Sequence, residues 1–308
     1  MPKHRLAAMM LPFPLLLAAC SPTGEDPDDA NSLPLVVTTF SILADITEEI
    51  GGERIEVRSI TPVGAEVHEY DPTPSDVQAA ADADLVIENG LWLEAWFGQF
   101  IAHSEAPTAI ASEGIDARPI TRLPNHPDDP GEAEDLPLDP HGWISPVQSQ
   151  TYVDNIEAAL AELSPDDAEY FAQNADAYRT ELEQIAESAK ERAAEHSAAI
   201  LVTCEGAFGY LADDLGLDEH YLWPLNAESE GTPQQAEAQI RFVEEHGVET
   251  IFCESTVNDS AQRQVAETTG AELAGPLYVD SLTDSDGPAP THLELLEHTI
   301  DTILGAHE

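Results

Sequence analysis

The apolar run Leu35-Val36-Val37-Thr38-Thr39-Phe40 reads as a buried strand, and the chain then changes period. From Ser41 to Ile50 the apolar positions Ile42, Leu43, Ile46 and Ile50 fall on one helical face. Ser41 is the expected N-cap of that helix, and Gly51-Gly52 ends it. Ile55 to Ile60 alternates as a strand, Pro74 to Ala81 reads as a short helix, and Leu85-Val86-Ile87 as a further strand. This alternation of strands and helices predicts a parallel sheet with helices on its faces.

A long helical stretch follows. Pro146 to Leu163 patterns as one helix, and Ser164-Pro165-Asp166-Asp167 opens the next with proline at the first helical position. Neither proline nor glycine occurs from there to His196, which predicts a helix of roughly 30 residues, about 45 Å long. Its apolar stripe is Tyr170, Phe171, Ala175, Tyr178, Leu182, Ile185 and Ala189. Strands are then expected at Ala199 to Thr203, Tyr221 to Leu225, Thr250 to Cys253 and Leu273 to Val279. Helices are expected at Gly206 to Leu215, Pro233 to His246, Asp259 to Thr269 and Leu293 to Leu304. The fold class is therefore α/β: two α/β lobes, each a mainly parallel sheet flanked by helices, joined by one long helix. The divisions fall at residues 33–163, 164–196 and 197–308.

The N-terminus stands apart. Lys3, His4 and Arg5 precede an apolar stretch, Leu6 to Leu17, that is too short to span a bilayer. Leu17-Ala18-Ala19-Cys20 then has the form of a lipobox, so residues 1–19 read as a lipoprotein signal peptide and Cys20 as the lipidated residue. Each buried acyl methylene would contribute about 0.8 kcal/mol to membrane anchoring. Residues 20–32 are polar and acidic, a disordered tether. The expected location is extracytoplasmic, on the cell membrane.

Charge changes the picture further. The chain has 60 acidic and 11 basic side chains, a formal charge of −49. Self-repulsion on this scale opposes compaction unless salt screens it, which points to a halophilic protein; a cation-concentrating surface is compatible with the same pattern. Nucleic-acid binding is disfavoured for want of clustered Lys and Arg. Cys204 and Cys253, 49 residues apart in strand-like runs, read either as two buried thiols or as a disulfide; sequence leaves both open.

Four loop-like segments each offer one hard metal ligand: His68 in Val67-His68-Glu69-Tyr70-Asp71-Pro72, His141 in Asp139-Pro140-His141-Gly142-Trp143, Glu205 in Thr203-Cys204-Glu205-Gly206, and Asp280 in Tyr278-Val279-Asp280-Ser281. Glu205 lies where a strand meets a helix, where ligand groups gather in parallel sheets. Two imidazoles and two carboxylates suit a divalent cation. His126 lies in the acidic loop before Asp139, and His103, His196, His220, His246, His292, His298 and His307 read as surface or helix-end residues.

Thr61 to Asp76, with Pro62-Val63-Gly64-Ala65 leading to His68, resembles the first-histidine motif of the substrate-binding proteins of manganese/zinc ABC transporters, the TroA-like group. Ala83 to Gly90, Asp139 to Pro146, Glu230-Gly231-Thr232-Pro233 and Phe252-Cys253-Glu254-Ser255 resemble further segments of that family, in order, over Leu35 to Leu304. The resemblance implies a metal in a cleft, with His68 and His141 from the first lobe and Glu205 and Asp280 from the second. It implies an ABC permease as partner, a monomer, and metal as cargo with no catalytic residues. Zinc-dedicated relatives tend to carry a third histidine where Glu205 stands and a His-rich loop before the second-histidine motif, whereas residues 125–139 hold one histidine. Both departures point to Mn²⁺, with Zn²⁺ or Fe²⁺ as alternatives. A metallohydrolase would share the donor set, but no His-Glu-x-x-His, nucleophile elbow or P-loop occurs.

Overall fold

In the computed structural model the described residues are 32–98, 106–120, 138–196, 200–225 and 231–306. Cys20, the signal peptide, the tether as far as Asn31, His103, His126, His307 and the side chain of His196 lie outside them.

Strands β1 (Leu35–Thr38), β2 (Glu56–Ser59), β3 (Leu85–Glu88) and β4 (Thr108–Ile110) form one parallel sheet in the order β2-β1-β3-β4. β1 sits centrally, and its Val36 and Val37 are fully buried, as a strand covered on both faces requires. β4 has no counterpart in the sequence reading. Three residues at a sheet edge carry too short a pattern to show a period. Helix α1 (Ser41–Gly51) buries Ile42, Leu43, Ile46 and Ile50 as its spacing dictates. Ser41 is not the cap, however. Phe40 occupies that position, and Ser41, the first helical residue, turns its hydroxyl to accept from Leu282 N at 3.1 Å. Helices α2 (Pro74–Asp82) and α3 (Ser149–Leu163) complete the flanks.

Helix α4 (Ala168–Ala193) is the long helix, with 26 residues or about 39 Å. The expected thirty residues shorten because both ends tighten into 3₁₀ turns, Pro165–Asp167 and Ala194–His196. Phe171, Ala175, Tyr178, Leu182 and Ala189 on its stripe are buried. The helix packs against α1 and α3 and also meets α5 (Gly209–Leu215) and α8 (His292–Gly305). Arg179, one of few cations, bridges to Asp154 and Glu157 of α3 at 2.7 and 2.9 Å.

The second half alternates as its pattern predicts. β5 (Ile200–Glu205) pairs in parallel with β6 (Asp218–Trp223), and β7 (Thr250–Glu254) with β8 (Glu272–Leu277). Helices α6 (Pro233–His246) and α7 (Ser260–Thr269) pack on this side, and Gly247 ends α6 in the left-handed conformation that favours glycine. β5 and β7 lie side by side, and a disulfide joins Cys204 to Cys253 across them, with Cα atoms 4.9 Å apart. That settles the cysteine question in favour of the bridge. One apolar cluster runs through both halves, from Phe40, Trp143 and Leu160 to Leu201, Phe208 and Leu296.

Candidate metal centre

His68 sits in an irregular segment after β2, and several bonds hold it there. Gly64 N donates to Ser281 Oγ (2.6 Å), His68 N to Glu66 Oε1 (2.8 Å), and Trp96 Nε1 to Val67 O (2.8 Å). His141 precedes a single 3₁₀ turn, Gly142–Ile144. Asn89 Nδ2 donates to Pro140 O and Tyr210 Oη to Asp139 O, fixing the backbone on both sides. Asp139 Oδ1 lies 2.8 Å from His141 Nδ1. An ionised carboxylate only accepts, so Nδ1 carries the proton and Nε2 presents its lone pair.

The carboxylates arrive from the other half. Glu205 closes β5, and its N–H donates to Glu254 Oε2 on the neighbouring β7 at 3.2 Å. Asp280 follows β8, where Thr256 Oγ1 donates to its Oδ2 at 2.9 Å. The two walls are stitched together by Trp143 Nε1 donating to Val279 O at 2.8 Å.

All four predicted ligands converge. One ligand atom from each of His68, His141, Glu205 and Asp280 lies within 4.8 Å of the others. His68 Nε2 stands 3.2 Å from His141 Nε2, 3.4 Å from Glu205 Oε1 and 4.0 Å from Asp280 Oδ1. Donors bonded at about 2.1 Å to one ion stand roughly 3 Å apart, so the spacing fits a shared cation. His141, Glu205 and Asp280 are fully buried, while the His68 side chain keeps 8% exposure and marks the side open to solvent. Burial, and then the neighbouring His141, hold the His68 pKa well below its ordinary value, so the imidazole is neutral and can ligate.

Two carboxyls beside the ligands escaped the sequence reading. Burial, followed by the charge of Asp280, pushes Glu66 up to about 8, and its protonated carboxyl hydrogen-bonds Asp280. Burial raises Glu254 to about 8 as well. Glu254 ends a parallel strand beside the one that ends in Glu205, a position that was legible as site-forming. Glu66, in an aperiodic loop, gave no such signal. Among the other histidines, His246 is an exposed helix-end residue as expected, and His220 stacks on Phe242 from within β6. His292 begins α8, a helix-end residue as expected, yet is fully buried, with its imidazole bonded at both nitrogens inside the core.

Four candidate ligands shared between two α/β halves, hard, buried and open on one side, are the arrangement expected of a metal-binding solute-binding protein. The family model described as zinc-uptake complex component A, periplasmic (ZnuA) matches residues 36–306. The iron-binding protein YfeA of Yersinia pestis is 40% identical over 307 residues, 98% of this chain and 96% of that one. The manganese-binding lipoprotein MntA of Halalkalibacterium halodurans is 33% identical over 308 residues, 99% and 98% of the two chains. Among solved structures, the manganese-bound periplasmic metal-binding protein from Candidatus Liberibacter asiaticus superposes with a TM-score of 0.80 at 32% identity, covering 89% of this chain and all of that one. The periplasmic zinc-binding protein TroA from Treponema pallidum gives 0.78 at 25% identity, covering 89% and 99%. The chain belongs to the ZnuA family of extracytoplasmic metal-binding proteins of ABC transporters. Its members carry substrate for transport and are not enzymes, so the hydrolase alternative falls.

Proposed function

We propose that this protein captures Mn²⁺ between His68, His141, Glu205 and Asp280 and delivers it to the permease of an ABC transporter. The observation that carries the reading is Glu205 beside Asp280 in the convergent set. Two carboxylates supply hard oxygen and can each chelate through both atoms, which suits the five- or six-coordinate sites that Mn²⁺ accepts, while Zn²⁺ favours four softer donors. A Fe²⁺ reading has its own support, because the relative at 40% identity is named an iron-binding protein and Fe²⁺ accepts the same donors. The protein works as a monomer between two lobes, residues 33–163 and 197–308, linked through residues 164–196. It is tethered to the membrane through a lipid on Cys20, as the lipobox and the lipoprotein relatives suggest. Cys20→Ser should release it from the membrane fraction.

Competitive titration with Mn²⁺, Fe²⁺ and Zn²⁺ tests the metal. Glu205→His creates a softer set and should lower the ratio of Mn²⁺ to Zn²⁺ affinity. An unchanged ratio removes the main support for manganese. A wild type that takes Fe²⁺ in preference to Mn²⁺ selects the iron reading.

A further inference from the structure

His292 is a fully buried histidine far along the chain from all four candidate ligands except Asp280, and its bonding is directional. Its Nε2 lies 2.8 Å from Trp143 O, and a carbonyl only accepts, so Nε2 carries the proton. Its Nδ1 therefore accepts, and Tyr178 Oη donates to it at 2.8 Å. Trp143 in turn donates from Nε1 to Val279 O, also at 2.8 Å. The bonds thus run in one sense: Tyr178 on the long helix α4, His292 at the start of α8, Trp143, then Val279. Trp143 lies two residues after His141, and Val279 immediately precedes Asp280. A buried carboxyl group anchors the near end, since Asp45 Oδ2 on α1 accepts from His292 N at 2.8 Å. Burial lowers the His292 pKa to about 4, so the imidazole stays neutral with its tautomer fixed by its two partners.

A leucine would fill the same volume without the cost of burying two ring nitrogens. What the histidine adds is a fixed direction at the Trp143 carbonyl, and through Trp143 a fixed separation of the two walls. We propose that Tyr178, His292 and Trp143 form a positioning relay that sets His141 against Asp280 and thereby tunes the affinity of the metal site. The relay rests on the metal-binding reading above. It ties the site to the long helix, so the geometry of the ligands and the seating of α4 are one mechanical unit. Neither Tyr178 nor His292 touches the ion; both act through Trp143.

The test uses the purified protein with Mn²⁺ alone as probe, at fixed high salt and pH, in wild type, Tyr178→Phe, His292→Leu and His292→Gln. Calorimetric Kd, the Mn²⁺ electron paramagnetic resonance spectrum and the melting temperature of the metal-free protein are read for each. His292→Leu should weaken Mn²⁺ binding by about threefold to tenfold, less than the loss of a group bonded directly to a ligand, and should change the spectrum of the bound ion. Tyr178→Phe removes one hydroxyl and frees the tautomer, and should weaken binding in the same direction by less. His292→Gln restores an N–H donor toward Trp143 O and should bind close to wild type. Tyr178→Phe decides alone if His292→Leu does not fold. Variants that lower the melting temperature yet keep wild-type Kd and spectrum would show a merely structural network and overturn the relay. A wild type that binds no Mn²⁺, Fe²⁺ or Zn²⁺ would overturn the metal-binding reading first and the relay with it.

Discussion

Asp139 and His141 face each other at 2.8 Å, Oδ1 to Nδ1, two residues apart in one buried segment. The carboxylate fixes the ring tautomer and its orientation, so that Nε2 reaches the ligand cluster 3.2 Å from His68 Nε2. Asp139→Asn keeps the size and an acceptor oxygen for His141 N but removes the charge that favours the Nδ1 proton. Mn²⁺ affinity should fall about tenfold or more, with little change in the metal-free melting temperature. His68→Ala and Asp280→Ala, which delete candidate ligands from opposite walls, should cost more than Asp139→Asn, and His246→Ala and His126→Ala should cost nothing. Calorimetry on the series checks the ranking, and equal effects throughout would mean that the site has been misplaced.

The Cys204–Cys253 bridge closes a loop of 49 residues between two adjacent strands. Removing it with Cys204→Ser and Cys253→Ser together should destabilise the protein by roughly 2–4 kcal/mol, chiefly through the freed unfolded chain. Denaturant unfolding of wild type and double variant, both metal-free, measures the difference. Identical midpoints would mean that the bridge adds no stability.

Buried carboxyls set the pH response. Burial is the largest cause raising Asp45 and Glu94 to about 7 and Glu66, Glu219 and Glu254 to about 8. The unfolded chain loses these protons near 3.8 to 4.5, so between there and about 8 unfolding releases protons and stability falls as pH rises. His68 and His292, whose pKa values are lowered, act in the opposite sense, but only below the ordinary value of 6.5. The melting temperature of the metal-free protein should therefore drop between pH 6.5 and 8.5, a window set by these shifts. Differential scanning calorimetry in matched salt gives the answer, and a flat or rising curve there would refute it.

Salt should act on the formal charge of −49. The Debye length shrinks from about 10 Å at 0.1 M to about 3 Å at 1 M, which removes repulsion among surface acids. Thermal stability should rise from roughly 0.1 to 2 M salt, potassium and sodium chloride alike. A constant melting temperature across the series would end the halophilic reading.

The sequence by itself determined the elements wherever a period ran long enough. The 3.6-residue stripe of α4 from Phe171 to Ala189 and the spacing of Ile42, Leu43, Ile46 and Ile50 on α1 are local properties of the chain. The stop at Gly247 is local too, since a left-handed residue favours glycine whatever surrounds it. β4 failed because three edge residues carry no period, and Ser41 failed because whether a hydroxyl caps its own helix or bonds Leu282 depends on what lies 241 positions away.

The candidate ligand residue types were legible, but their meeting was not. His68 and Asp280 are 212 positions apart, and only packing of both halves around α1, α4 and α8 brings Nε2 to 4.0 Å from Oδ1. The disulfide was undecidable for the same reason, since the lateral neighbours of β5 and β7 are fixed by sheet order and not by the sequence of either strand. Burial of His292 likewise depends on Tyr178 and Trp143 from other elements, which supply the two partners that make a core histidine tolerable. Periodicity is written in neighbours along the chain, whereas coordination, bridging and polar burial are settled by neighbours in space.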